Sequence, residues 1–242
     1  KTTVAVIGGG VIGVATALEL SERGVPVVLL EKGIIAGEQS SRNWGWCRQM
    51  GRDSREIPLI LESLKLWREM NARVGAETGY RQCGVIYLAE NEVELAAREN
   101  WYAENAKAFG LDTKLVSGIE AERLQPGSTR PWKGALYTSA DGRAEPFIAV
   151  PAMARHAQKT GVKIFQNCAV RGVETAAGKI ISVVTEKGTI ACEQVVLAGG
   201  ALTSYMIANH AMLPIPVLTT TENPDASTVT MVGWKAEQLF IL

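Results

Sequence analysis

The sequence predicts an α/β protein: a Rossmann-like parallel-sheet domain with a β-meander, split by an inserted α+β domain. Three observations carry this. An apolar run, Val4-Ala5-Val6-Ile7, leads through Gly8-Gly9-Gly10-Val11-Ile12-Gly13 into a helical stretch and a second apolar run, Val27-Val28-Leu29-Leu30, ending in Glu31. A later apolar run, Gln194 to Ala198, also ends in glycines, Gly199-Gly200. Helix-like and strand-like segments lie between. Fully apolar strands suit a sheet covered on both faces, and strand–helix–strand order makes such a sheet parallel.

The first crossover has the layout that holds the ADP half of a dinucleotide. Gly8 allows the tight turn, Gly10 leaves the backbone open to a pyrophosphate, and Gly13 lets the helix lie close on the sheet. Val11, Ile12 and Gly13 begin the helix, where N–H groups lack intrahelical acceptors and the dipole end is positive. Glu31 lies 18 positions past Gly13, close to the spacing at which an acid meets the ribose hydroxyls.

A loop follows, Lys32 to about Arg55, rich in Gly, Ser, Asn and Arg. Ile57, Ile60, Leu61, Leu64, Trp67, Met70 and Val74 recur at three- and four-residue steps and predict a helix over 56–74. A strand is expected at 84–88, a polar-faced helix over 91–109 closed by Gly110, a short helix at 119–124 stopped by Pro126, and a strand at 134–137. Asp141-Gly142 reads as a turn. The next helix is expected to become regular near Ile148, with Pro151 in its first turn, and to end at Gly161. Short strands at 162–166, 170–174, 180–185 and 189–191 make the meander, with turns at Ala177-Gly178 and Lys187-Gly188. Residues 201–211 look helical, and Val229–Trp234 reads as one further strand. The expected organisation is a dinucleotide domain in two parts, 1–78 and 144–212, around an inserted segment, 79–143. Residues 213–242 start a returning segment or an irregular tail.

Net charge is zero, so nothing favours nucleic acid or an anionic membrane surface. No run reaches the ~20 apolar residues of a membrane helix, and the glycine motif starts so near Lys1 that no leader is expected. Four cysteines without a C-x-x-C pair, and two histidines, argue against zinc. Cys83, Cys168 and Cys192 are expected to be reduced and in or near the core, and Cys47 an inert thiol.

The chain resembles FAD-dependent oxidoreductases of the D-amino-acid oxidase/dehydrogenase type, which include glycine and sarcosine oxidases. Three stretches carry the likeness: Gly8 to Gly13 with Glu31-Lys32; Gly37-Glu38-Gln39-Ser40-Ser41-Arg42-Asn43-Trp44-Gly45-Trp46; and Val195-Val196-Leu197-Ala198-Gly199-Gly200. The resemblance implies FAD as cofactor. It implies that Glu31 holds the adenosine ribose with Lys32 beside it, and that Ser40 and Ser41, with Arg42 next to them, meet the phosphates. Asn43, Trp44 and Gly45 would line the flavin ring. Val170 would meet the adenine through its backbone, and Ala198, Gly199 and Gly200 would close the pocket. The implied reaction is oxidation of the CH–NH bond of an amino acid, a D-amino acid first, or of a secondary amine, by hydride transfer to flavin N5. Family members are normally longer, and nothing after Leu213 resembles their second glycine-rich segment, so the C-terminal part of the family pattern is expected to be missing. The acceptor of electrons is left open between oxygen, a quinone and a partner subunit. So is the place, cytoplasm or the inner face of the plasma membrane.

Other readings stand beside these. Trp44 and Trp46 suit a core as well as a cofactor. Arg42, Arg48, Arg52 and Arg55 suit a solvated surface, or pairing with nearby Asp53 and Glu56, better than an anion site, and Arg48 alone is retained as a candidate near a substrate. A nicotinamide-dependent dehydrogenase and a non-catalytic flavin-binding subunit remain as alternatives.

Overall fold

A computed structural model describes residues 1–203 and the strand Val229–Met231. In chain order the elements are β1 (Val4–Ile7), α1 (Val11–Glu22), β2 (Val27–Leu30), β3 (Trp46–Cys47), α2 (Ile57–Val74), β4 (Arg81–Gln82), β5 (Val85–Ala89), α3 (Glu92–Trp101), β6 (Thr113–Ser117), α4 (Gly118–Leu124), β7 (Gly134–Thr138), β8 (Gly142–Arg143), α5 (Pro146–Lys159), β9 (Lys163–Phe165), β10 (Val170–Ala176), β11 (Lys179–Thr185), β12 (Gly188–Ala191), β13 (Gln194–Leu197) and β14 (Val229–Met231). They fall into two compact units. One holds Lys1–Trp44, Ala72–Thr78 and the described residues from Glu145 onward; the other holds Gly45–Asn71 and Gly79–Ala144. Gly45–Asn71 thus clusters with the inserted segment, whereas the sequence boundary ran at residue 78.

In the first unit a parallel sheet runs β14-β13-β1-β2-β9. β1 sits inside it, in register with both neighbours, Ile7 facing Leu197 and Leu30. All four residues of β1 and of β2 are buried, which is why both read as unbroken apolar runs. On one face Ala5, Ile7, Val28, Leu30, Val195 and Leu197 pack with Val173, Ile180 and Val183 of the antiparallel β10-β11-β12 meander. Helices α1 and α5 pack against each other, burying Val14, Ala17 and Leu18 of α1 and Ala149, Met153 and Ala157 of α5.

In the second unit β5-β7-β6 forms an antiparallel sheet, and Val116, Ala121 and Ala135 make a small core with Ile86, Leu88, Trp132 and Tyr137. A smaller sheet, β3-β8-β4, ties Trp46 and Arg81 to Arg143. Trp67 of α2 stacks on Tyr80, ring centroids 6.1 Å apart.

Several local expectations need correction. Helix α5 starts at Pro146, not Ile148, because Pro146 takes the first helical position, where a missing N–H is harmless. Pro151 therefore lies inside the helix; the carbonyl it leaves without a donor is that of Phe147, a residue 74% exposed. The 91–109 helix is α only to Trp101, then widens into a π turn over Tyr102–Ala106 before Gly110 ends it at φ +62°. Asp141-Gly142 is not the turn: Ser139 and Ala140 turn, and Gly142 lies in β8, where a Cβ would strike the Arg81 carbonyl. The turn before β12 likewise falls on Glu186-Lys187. Cys83 is exposed, whereas Cys47, Cys168 and Cys192 are buried free thiols. The strand expected at 229–234 is present as β14; the helix expected over 201–211 begins at Leu202 and otherwise lies outside the described residues, as does most of 213–242.

Candidate functional site

Two glycines of the β1–α1 turn, Gly8 and Gly13, leave no room for a side chain. Gly8 holds φ +113°, and its N–H bonds the Leu30 carbonyl at 2.8 Å. A Cβ on Gly8 would strike the Ala198 carbonyl, and one on Gly13 would strike the Gly8 carbonyl. Both obstacles are backbone, so neither can yield. Gly10 differs: its Cβ would stand 3.1 Å from Ser40 Oγ, filling space beside the helix start rather than hitting main chain.

Gly10 is the N-cap of helix α1, whose first turn holds no acidic residue. The Val11 N–H donates to Ser40 Oγ at 2.9 Å, and Ser40 is buried. That hydroxyl still has its own proton to donate. Ile12 and Gly13 add first-turn N–H groups that have no acceptor within the helix. A positive dipole end, bare backbone and a hydroxyl thus converge on one place, which is what a diphosphate needs.

Glu31 ends β2 and is buried, 8% exposed. Its Oε2 accepts the Gly9 N–H and its Oε1 the Gly33 N–H, each at 2.7 Å. Two acceptor positions remain on the carboxylate for hydroxyl donors. The next loop folds back on this turn: the Ala36 N–H bonds the Gly9 carbonyl at 2.9 Å, with Ala36 at φ +59°, and the Ile35 N–H bonds Gln166 Oε1 at 2.7 Å. Gly9, Gly33 and Gln166 escaped the sequence reading. The triple glycine was a visible signal for Gly9; nothing local marked Gln166, which lies 131 positions from Ile35.

The rest of the loop is pinned by its own polar groups. Lys32 pairs with Glu38 at 2.7 Å, and Arg42 with Glu38 at 3.5 Å. Ser41 Oγ donates to the Glu38 carbonyl, and Asn43 Nδ2 to the carbonyls of Gln39 and Ser40. Trp44 is 78% exposed, so the core reading of that ring is wrong; Trp46 is half-buried. Gly45 takes φ +68°, and its carbonyl accepts the Ala144 N–H at 2.8 Å.

The second glycine pair stands beside the first. The Ala198 N–H bonds the Ile7 carbonyl at 2.8 Å, and Gly200 turns at φ +58°. N–H groups of Leu202 and Thr203 return to Gly199 and Gly200. Because the chain runs from β1 to β2 on one side and from β13 to β14 on the other, the strand order reverses between β13 and β1. Ligands of open parallel sheets bind outside the carboxyl ends of strands at such a switch point. Val170, at the start of β10, packs partly buried on the core under the meander.

Residues 3–227 match the family model described as DAO, FAD dependent oxidoreductase. The chain belongs to this family of FAD-dependent oxidoreductases. It is 31% identical over 230 residues to sarcosine oxidase subunit beta of an Arthrobacter species, covering 88% of this chain and 54% of that one. It is 27% identical over 220 residues to the mouse mitochondrial pyruvate dehydrogenase phosphatase regulatory subunit, covering 90% and 25%. Among solved structures, L-amino acid deaminase from Proteus vulgaris superposes with a TM-score of 0.82 at 40% identity, covering 87% of this chain and 50% of that one. The chain thus spans about half the length of the first of these relatives and a quarter of the second. The dinucleotide of the family is FAD, and the glycine cradle, the Ser40 hydroxyl and the Glu31 carboxylate of this chain suit its diphosphate and ribose.

The second unit carries its own cationic cluster. The sequence favours solvation or pairing with Asp53 and Glu56 for this cluster, with Arg48 kept as a candidate near a substrate; the structure divides the arginines. Arg55 pairs with Asp53 at 2.9 Å in solvent. Arg52 pairs with Glu56 at 3.8 Å, but both are buried, not solvated. Arg48 has no carboxylate partner among the described residues; its Cζ stands 5.2 Å from the Trp46 ring centroid and 5.4 Å from that of Tyr87, and it bonds the Met50 carbonyl. Arg98 also stands over Tyr87, at 5.3 Å. Desolvation and the Asp141 charge hold the buried Cys47 thiol far above its ordinary range, which bars a thiolate role. Among the described residues no group of acids, cysteines and histidines could hold a metal ion, and no helix is long and apolar enough to cross a membrane.

Proposed function

We propose that this chain is the FAD-binding part of a flavoenzyme that oxidises the CH–NH bond of an α-amino acid or N-methyl amino acid. The observation that carries the reading is the pair of glycine turns leaving adjacent parallel strands, β1 and β13, at the switch point of a sheet whose family is FAD-dependent. FAD, when bound, supplies the two-electron acceptor for the hydride of the substrate Cα.

The residues divide the work. Backbone N–H groups of Ile12 and Gly13 and the Ser40 hydroxyl hold the diphosphate, with Ser41 and Arg42 beside them. Glu31 accepts the ribose hydroxyls, Lys32 stands next to it, and Val170 offers its backbone to the adenine. Asn43, Trp44 and Gly45 line the ring. Ala198, Gly199 and Gly200 close the pocket without side chains. Arg48 keeps guanidinium donors free of any acid among the described residues and takes the substrate carboxylate.

The sequence ranks a D-amino acid first. Likeness at 39% and 40% identity to two L-amino acid deaminases lends the L enantiomer stronger support, and sarcosine stands next through the Arthrobacter relative. The same sarcosine oxidase likeness, to a subunit termed beta, supports a partner chain. The likeness to a regulatory subunit favours a second reading, a flavin-binding chain without turnover. One experiment separates them. The full-length protein should carry visible flavin bands, and a panel of D-amino acids, L-amino acids and sarcosine under anaerobic conditions should bleach them with one class. Bands that no member bleaches favour the non-catalytic reading; colourless protein rejects the site itself.

A further inference from the structure

We propose that Asp141 is a positioning residue that holds Arg48 in place to receive a substrate carboxylate. The proposal rests on the role given to Arg48 above. Asp141 is fully buried in the second unit, far along the chain from the arginine it would serve. Its Oδ1 accepts the Gln49 N–H at 2.8 Å and its Oδ2 the Met50 N–H at 3.2 Å, so one carboxylate grips both peptide groups that follow Arg48. Asp112 completes the clamp from the solvent side. Its Oδ1 accepts Gln49 Nε2 at 3.0 Å, while its Oδ2 accepts the Ser139 hydroxyl at 2.6 Å and the Ala140 N–H at 2.7 Å. Asp141 is itself tied down, since its carbonyl accepts the Gly84 N–H at 2.9 Å.

What this clamp presents is the Arg48 side chain. The guanidinium is wedged against Trp46 and Tyr87, and Gly51 closes the loop at φ +70°, where a Cβ would stand 3.0 Å from the Tyr87 ring and 3.2 Å from Arg48 Nη1. Two backbone N–H groups do not need a buried charge; a hydroxyl or a carbonyl satisfies them at less desolvation penalty. What a carboxylate adds is its field, which acts on Arg48 and Arg52; Asp112, Cys47 and Tyr80 are the other ionisable groups facing it. A guanidinium fixed by packing, and by a loop locked on both sides, meets a carboxylate without ordering itself first.

The test uses the full-length, flavin-loaded protein, with benzoate as an inert carboxylate whose binding perturbs the flavin spectrum. Asp141→Asn keeps the volume but turns one acceptor into a donor facing an N–H. It is expected to weaken benzoate about tenfold and to raise KM for the amino acid by a similar factor, more than it lowers kcat. Asp112→Ala loosens the clamp from the exposed side and is expected to shift both constants about two- to threefold in the same direction, which keeps the test intact if Asp141→Asn does not fold. Unchanged constants in either folded variant overturn the proposal, even if stability drops. Arg48→Met separates the two levels. If it leaves both constants unchanged, the role of Arg48 falls and the proposal with it; if it shifts them while Asp141→Asn does not, only the positioning role falls.

Discussion

The Glu31 carboxylate accepts the Gly9 N–H at 2.7 Å, tying the acid at the end of β2 to the middle of the glycine turn after β1. With its other oxygen on the Gly33 N–H, the side chain fixes two backbone segments at once and still has acceptor positions to spare. Glu31→Ala should therefore weaken FAD binding by about 1–3 kcal/mol, because it removes charged acceptors and leaves the Gly9 N–H buried without one. Titration of apoprotein with FAD measures this, and an unchanged dissociation constant counts against the assignment.

Gly10 and Gly13 should fail in different ways. Gly10→Val should fold, with unchanged far-ultraviolet circular dichroism, yet retain no FAD, since its branches fill the space beside Ser40. Gly13→Ala should destabilise the protein itself by about 1–3 kcal/mol, because its methyl meets the Gly8 carbonyl, which cannot move without opening the turn. Denaturant midpoints and flavin content together separate the two.

Ser40→Ala removes the acceptor of the Val11 N–H at a buried helix start. A loss of about 1 kcal/mol is expected from thermal unfolding, the size of a missing helix cap, together with weaker FAD retention.

The pH dependence of stability should carry a signature of Asp141. Burial pushes its carboxyl up to about 6, helped by the charge of Asp112 and opposed by the N–H groups of Gln49 and Met50 and by Arg48. A folded-state value above the ordinary 3.8 means that the native state takes up the proton first as pH falls. This group is therefore a burden above about pH 6, relieved progressively between about 6 and 3.8. From pH 7 to pH 5 it should add about 1 kcal/mol to wild-type stability, and that increment should be missing in Asp141→Asn. Equal pH slopes for the two proteins would contradict it.

Thiol accessibility gives a direct check on the fold. Cys83 is exposed while Cys47, Cys168 and Cys192 are buried, and burial raises Cys192 to about 11. A thiol reagent near neutral pH should label one cysteine quickly in the native protein, and Cys83→Ser should abolish that phase.

The sequence by itself determined the first crossover and its glycines. A parallel strand buried on both faces must be apolar throughout, and a strand-to-helix turn whose backbone packs this closely must lack side chains there; both leave marks within thirty-one residues of chain. Tertiary structure decided what depended on distant partners. Glu31 is held by Gly9 and Gly33, Ile35 by Gln166, and Gln49 and Met50 by Asp141. The arginine cluster shows why such facts stay hidden. Spacing alone offers Asp53 and Glu56 to every nearby arginine, yet Arg52 buries its ion pair, Arg55 keeps its own in solvent, and Arg48 turns to Trp46 and Tyr87. Local propensity reaches only a few residues along a chain, whereas charge, aromatic faces and buried hydrogen bonds act through space and take whatever partners the packed core supplies.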